Sequence, residues 1–263
     1  TTVTNFSSDL MGFDNLQAGA LRPWEGTGSY YEEPHLASFL GRVNYTYDDR
    51  YVLTVNARTD ASSKFGANHK WGFFPSVSAA WNVSNEQFMK QITWIDNLKL
   101  RLGYGLAGNQ GGIDSYTTMN LVRPNGVAPV GNSPVVTYET LRNINPDLKW
   151  EVKHTFNAGF DVGFYGNRLL LSVNYYNSKT TDMLYNYRVS VPPFTYNTLL
   201  ANIGSMRNSG TEISVGITPL KTKDMELNIN ANITFQKNKL LSLNGMYNGE
   251  YISASEYTVI AGL

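Results

Sequence analysis

The chain has 263 residues, 16% of them charged, a formal net charge of zero and a pI near 6.8, so it offers no long-range field to draw in nucleic acid. It has no cysteine, which excludes disulfides and thiolate metal sites, and no run of about 18 apolar residues, which excludes a transmembrane helix. The charged fraction is below the roughly 25% of soluble domains yet mean hydropathy is -0.29, so the polarity comes from Asn, Ser, Thr and Gly.

The opening "TTVTNFSSDL" carries neither a basic nor an apolar segment, and no signal peptide is expected there. Further on, apolar and polar residues alternate with a period of two, which predicts strands over 37–47, 51–60, 76–83, 98–107, 151–164, 169–178, 208–218 and 225–236. The last is the clearest: Met225, Leu227, Ile229, Ala231, Ile233 and Phe235 alternate with Glu226, Asn228, Asn230, Asn232, Thr234 and Gln236. Most of these runs exceed the five or six residues of an ordinary strand and approach the roughly 9 to 11 that a tilted strand needs to cross a bilayer. Between the third and fourth strands, "SNEQFMKQITWI" breaks the rhythm. Ser84 and Gln87 form a capping-box pattern, and Phe88, Ile92 and Ile95 recur at helical spacing, so one short amphipathic helix is expected on the turn side.

The connections alternate between short and long. "DDR" (48–50), "YGN" (165–167), "PLKTKD" (219–224) and the compact excursion 84–97 are short, whereas 61–75, 108–150, 179–207 and the stretch after 237 are long. Strands running up and down would then place all short turns at one end and all long loops at the other. A membrane barrel has that asymmetry, with short periplasmic turns and longer outside loops; a sandwich has no need of it. Arg42, Arg58, Asp60, Lys99, Arg101, Glu151, Lys153, Asp161, Glu212 and Glu226 all share a face with Asn, Ser, Thr and Gly. In a membrane the opposite face excludes charge because a basic group near the midplane costs about 2–4 kcal/mol; a soluble core would exclude it too. Aromatics such as Tyr47, Tyr51, Phe164, Tyr104 and Tyr175 sit toward the strand ends, as at a membrane interface; ordinary β-propensity, which enriches Tyr in any strand, accounts for them equally well.

Catalytic patterns are missing. "GYGLAG" (103–108) matches G-x-G-x-x-G but is followed by a loop, not a helix, so no dinucleotide cofactor is expected; Gly103 and Gly105 are read as leaving space on the polar face. His35, His69 and His154 lack metal-ligand spacing. Neither Glu32 with Glu33 nor Asp48 with Asp49 forms a glycosidase pair. The Asn-x-Ser/Thr matches at Asn44, Asn82 and Asn232 follow from strand alternation. The expectation is no enzyme, no cofactor and no metal.

Four stretches together, "LGRVNYTYDDRYVLTVNARTDASSKFGANHKWGFFPSVSAAWNVSNEQFM", "IDNLKLRLGYGLAGNQGGIDSY", "NPDLKWEVKHTFNAGFDVGFYGNRLLLSVNYYNSKTTDMLY" and "NIGSMRNSGTEISVGITPL", covering roughly 36–240 in order, resemble the C-terminal part of the barrel in SusC/RagA-type TonB-linked outer-membrane transporters. The resemblance implies an all-β fold: about eight antiparallel strands of a transmembrane barrel of about 22. Residues 1–263 would all belong to that one barrel domain, without its plug or its TonB-contacting segment, and "YTVIAGL" ends the sequence without a closing strand. It further implies a Gram-negative outer membrane, a SusD-like surface lipoprotein as lid, and TonB-driven import of glycans or peptides. Candidate plug or substrate contacts on the polar face are Arg42, Arg58, Asp60, Arg101 and Asp161, although pairing among these charges is the favoured reading. Candidate cargo or lid contacts in the long loops are Trp71, Phe73, Tyr116 and Tyr138, because aromatic faces suit sugar rings and protein interfaces alike. The alternatives are a passive porin or adhesin-like barrel, and a soluble carbohydrate-binding sandwich.

Overall fold

The computed structural model describes residues 2–6, 8, 10, 12–21, 27–247 and 250–254. The segment "YTVIAGL" lies outside them. Two short strands, β1 (Thr4–Phe6) and β2 (Gly19–Leu21), form a ribbon of their own. The body is a single antiparallel sheet of β3 (Leu36–Tyr47), β4 (Tyr51–Ser62), β5 (Trp71–Asn82), β6 (Ile95–Asn109), β9 (Glu151–Phe164), β10 (Leu169–Arg188), β11 (Thr198–Lys221) and β12 (Glu226–Ser242). Each strand pairs with its neighbour in sequence, except that β7 (Val122–Val130) and β8 (Ser133–Thr140) make a separate hairpin between β6 and β9. A last hairpin, β13 (Asn244–Tyr247) with β14 (Glu250–Ala254), joins the sheet through β10. Among the described residues the outer edges of β3 and β12 are unpaired. The sheet is a sector of wall rather than a closed cylinder.

All eight expected strands are present, and the register shows why they form. In one line across the sheet, Tyr45, Leu53, Ala79, Leu102, Ala158, Tyr175, Thr211 and Phe235 face one another in turn. The adjacent line, one residue over, holds Asn44, Thr54, Ser78, Gly103, Asn157, Tyr176, Gly210 and Gln236. A slip of one residue in any strand would exchange these two sets, so the two-faced pattern fixes the pairing.

The short turns gather at one end. Asp48 and Asp49 take φ of 52° and 50°, and Tyr165 and Gly166 take 55° and 69°, the left-handed backbone that a tight hairpin matching strand twist requires. The expected amphipathic α-helix is absent: the excursion holds two 3₁₀ turns, Val83–Asn85 and Gln87–Gln91, with no side-chain cap. Ser84 does not cap because the connecting residues bond outward instead. Asn82 and Asn85 both donate to the Asp49 carbonyl, at 2.7 and 2.8 Å, and Glu86 is taken up by the neighbouring strands. The expected loop 61–75 is also shorter than its sequence suggested, since β5 begins at Trp71.

Aromatic side chains bracket the apolar face. At the turn end Tyr51 stacks on Trp81 (6.2 Å, 15°) and Trp94 on Phe164 (5.6 Å, 5°); at the loop end Phe39 stacks on Trp71 (6.1 Å, 16°). Trp71 and Trp81 bound β5 on the same face. Ten strand residues span about 33 Å, which at a tilt of about 40° is roughly the 25 Å height of a barrel's apolar band.

Candidate functional site

The polar face carries hydrogen-bonded pairs between side chains of neighbouring strands. Thr54 donates to Asn44 (2.8 Å) and Asn56 to Ser76 (2.9 Å); Thr155 and Ser178 lie 3.1 Å apart. Its centre is an ion pair between adjacent strands β6 and β9. Arg101 reaches both oxygens of Asp161, Nε to Oδ2 at 2.8 Å and Nη2 to Oδ1 at 2.9 Å, while the Ser172 hydroxyl of β10 donates to Oδ1 at 2.7 Å. The fork geometry fixes direction as well as charge. Gly159, opposite Arg101 in register, makes room for it: a Cβ there would stand 2.8 Å from the Val173 carbonyl oxygen and 3.3 Å from Arg101 Nη2. Lys99 faces Asp161 directly across the pair of strands. Lys99, Arg101 and Gly159 border an open hollow of about 380 Å³ with Thr54, Ser78, Asn157 and Asn174.

Toward the loop end a second hollow, about 460 Å³, is bordered by Asn56, Arg58, Asp60, Ser76 and Trp150. Here Arg58 Nε lies 3.0 and 2.8 Å from the two oxygens of Asp60, which is buried. Four of the five expected contacts with plug or cargo are therefore joined in two pairs within the wall, Arg58 with Asp60 and Arg101 with Asp161. Arg42 differs, since its recorded bond is to neutral Asn44 at 3.3 Å.

The loop-end aromatics are distributed otherwise than expected. Trp71 and Phe73 are not loop residues. They belong to β5, opposite Ala61 and Thr59, on the apolar face and more than half exposed. The β rhythm continues upstream of Ser76, and Trp71 gains its stack only with β3 alongside. Tyr116 does lie in the long connection, at φ 61°, and its hydroxyl accepts the Glu33 amide at 2.9 Å. Tyr138 stands in β8, where the neighbouring Glu139 pairs with Arg123 across the hairpin at 2.7 Å. Gly103 does leave open space, with no contact under 3.7 Å for an added Cβ, whereas Gly105 would press on Ser76 at 2.8 Å.

Two features went unread in the sequence. The first is a true core at the loop end. Pairing of β5 with β6 stops at Ser76–Gly105, and beyond it Phe65, Phe74, Ile113, Leu148 and Trp150 cluster with at most 6% of any one exposed. Trp150 packs 4.6 Å from Phe65 and 5.5 Å from Phe74, and its indole N–H donates to the Lys70 carbonyl at 3.0 Å. Gly72 and Gly108 admit the Phe74 ring; a Cβ would come within 2.4 and 2.0 Å of it. The second is Glu86 at the turn end, which accepts hydrogen bonds from Tyr51 Oη (2.8 Å), Trp81 Nε1 (3.1 Å) and Arg50 (3.1 Å). Hydrogen bonds from Tyr51 and Trp81, with Arg50 alongside, hold its carboxyl below the usual carboxylate range.

Among the described residues no group of His, Asp and Glu is arranged to hold a metal ion. A model of the TonB dependent receptor-like β-barrel family matches residues 2–263. The chain belongs to that family. It is 34% identical over 247 residues to the TonB-dependent receptor SusC of Bacteroides thetaiotaomicron, covering 86% of this chain and 24% of SusC, and 36% identical over 248 residues to the TonB-dependent receptor P26 of Formosa agariphila, covering 91% and 24%. Among solved structures it resembles the RagAB peptide importer in its open-open state, with a TM-score of 0.73, 29% identity, and coverage of 82% of this chain and 23% of that one. The chain thus spans about a quarter of the length of these relatives. Members of the family are barrels of the Gram-negative outer membrane, so the sheet is barrel wall, its apolar face turned to lipid and its polar face to the interior.

Proposed function

We propose that this chain is the C-terminal part of the barrel domain, residues 1–263, of an active importer of glycans or peptides in the outer membrane of a Gram-negative bacterium. The observation that carries the reading is the pair of adjacent register lines, one apolar in seven of the eight strands with Thr211 in the other and one mainly polar, in a chain whose relatives include SusC and a peptide importer. In this reading the polar wall surrounds a plug domain, import is energised through TonB by way of that plug's N-terminal side, and a SusD-like surface lipoprotein closes the loop end. Arg42 is the candidate for a contact with plug or cargo, because no carboxylate in the wall neutralises it among the described residues. The pairs Arg58–Asp60 and Arg101–Asp161 shape the conduit instead. Tyr116 and Tyr138 are the candidates for lid or cargo contact at the loop end; Trp71 and Phe73 serve as lipid-interface anchors.

Deleting the gene in its host should abolish uptake of one glycan or peptide class, and uptake restored by the intact gene should vanish again without TonB. Uptake that persists without TonB would instead identify a passive porin.

A further inference from the structure

Charge is unevenly spread over the polar face. On β3–β6 its charged side chains are Arg42, Arg58, Asp60, Lys99 and Arg101, four of the five basic. Part of this excess sits at the loop end of β3 and β4. Arg42 faces Asn56 in register and Leu40 faces Arg58, which makes the two arginines diagonal neighbours, about 7–8 Å apart and within reach of each other's long side chains. The carboxylate beside them, Asp60, is only 6% exposed, faces Ser38 in register, and has both oxygens bonded by Arg58 through Nε alone. Asp60 therefore aims the Arg58 guanidinium without covering its outer edge. Among the described residues Nη1 and Nη2 of Arg58 make no hydrogen bond, nor do those of Arg42, and the Arg58 side chain is 53% exposed. A pinned guanidinium that presents two free terminal nitrogens is a fork matched to a planar oxyanion.

A second, independent feature lies in the same place. The β5–β6 ladder stops at Ser76–Gly105, and the hollow of about 460 Å³ that opens beyond it is bordered by Asn56, Arg58 and Asp60 from β4 and by Gln110 just past β6. The Gln110 Oε1 is buried with no hydrogen-bond partner, a costly state unless a donor reaches it. The fork thus calls for an oxyanion, and Gln110 for an N–H or O–H donor near it. Arg42, Arg58 and Asp60 together set two positive charges against one negative, which matches a single carboxylate rather than a phosphate monoester of about -1.5 to -2. We infer that the loop-end hollow between β4 and β6 is a cargo subsite for a carboxylate with a neighbouring N–H or O–H donor, the carboxylate held by Arg58 and Arg42 and the donor by Gln110. This deepens the importer reading and rests on it, since that reading makes the polar face the conduit. An acidic sugar and an acylated amino acid share the required chemistry.

The test uses the full-length gene product, solubilised from outer membranes, and two pairs of small probes: galacturonate with galactose, and N-acetylglycine with N-acetylglycinamide. Dissociation constants come from ligand-observed NMR titrations. At least one acid should bind about tenfold or more tightly than its neutral counterpart, as a charge-assisted fork provides; which acid it is tells whether the carboxylate arrives on a sugar or on a peptide. Arg58→Gln should abolish that preference and Arg42→Gln should reduce it about fivefold. Gln110→Leu should weaken the acid and its neutral counterpart alike, by about threefold, because both carry the donor. Lys223→Gln, at the opposite end of the wall, should change nothing. Should Arg58→Gln fail to assemble because Asp60 is left buried and unpaired, Arg58→Gln/Asp60→Asn removes both charges and reads the same site. Acid and neutral probes bound equally by the wild type, a preference that survives in Arg58→Gln, or an equal loss in Lys223→Gln overturns the inference. So does binding of neither acid, the result if a carboxylate of the plug already fills the fork. A preference found in a protein whose host takes up cargo without TonB overturns the importer reading and leaves the anion site standing; TonB-driven uptake by a protein without the preference removes only the subsite.

Discussion

In the middle of the sheet, Leu53, Leu102, Tyr175 and Phe235 share one register line with 42, 57, 42 and 59% of their surface exposed; at the loop end Phe65, Leu148 and Trp150 keep 1, 0 and 6%. Both regions are built from large apolar side chains, yet only the second is buried by its own chain. The mid-wall gains its apolar burial from what lies against it, lipid on one face, and relies internally on ladder hydrogen bonds. The loop-end cluster is a small globular core sitting on top of a membrane wall. The difference teaches that the two should respond differently to mutation and to removal of the bilayer.

The largest expected effect lies in the core. Trp150→Ala removes the ring between Phe65 and Phe74 and should cost about 3–5 kcal/mol locally, loosening 110–150 so that limited proteolysis cuts there while the eight-stranded wall stays resistant. Cleavage no faster than in the wild type would mean that this end too is held by its surroundings. Next comes the lipid face: Ile213→Lys, in the apolar line of β11, should lower the stability of the bilayer-inserted protein by about 2–4 kcal/mol, measured by reversible denaturant unfolding in vesicles. The same lysine in place of Ser214, one residue along on the polar face, should cost far less.

These contrasts also mark what could be read in advance. Alternation exposed the eight strands and their faces because each residue's environment is set by parity alone. Strands β10 and β11 run on to Arg188 and back to Thr198, where the chain's own loop-end clusters cover both faces, Tyr187, Leu199 and Ala201 on one and Leu184 and Leu200 on the other, so parity no longer separates apolar from polar side chains. The β7–β8 hairpin, with Pro124, Pro129 and Pro134 in its strands, was hidden by the same loss of contrast. Trp150 and Phe65 stand 85 positions apart, and no local spacing announces that they touch. Glu86 sat inside an apparent helix start and was claimed by Tyr51, Trp81 and Arg50, partners that only the folded wall supplies. The candidate charges were found by residue type and face, but their pairing with each other required register.

Smaller effects sharpen the comparison within the polar wall. A double-mutant cycle of Arg101→Ala and Asp161→Ala should give a coupling of about 1 kcal/mol or less, because both side chains remain about a third exposed to the interior. Gly159→Val should reproduce the loss of the pair without touching either charge, since its side chain would occupy the place of the guanidinium. The smallest effect is one of pH. The Glu86 carboxyl is held below its unfolded value, so its contribution is complete above the ordinary carboxylate range and is lost as pH falls through the lowered folded value. Acid unfolding of wild type and Glu86→Gln should converge at low pH and separate above it; a constant gap across the range would exclude this role.

The orientation of the wall is most directly measured by cysteine scanning along β11 of the full-length protein in a bilayer, an approach helped by the absence of native cysteine from this segment. A fluorescent or spin label at positions 211, 213 and 215 should respond to a lipid-soluble quencher, and at 212, 214 and 216 to a water-soluble one. Labels that all respond alike, or that respond with the opposite parity, would contradict a wall with lipid on its apolar face and water on its polar one.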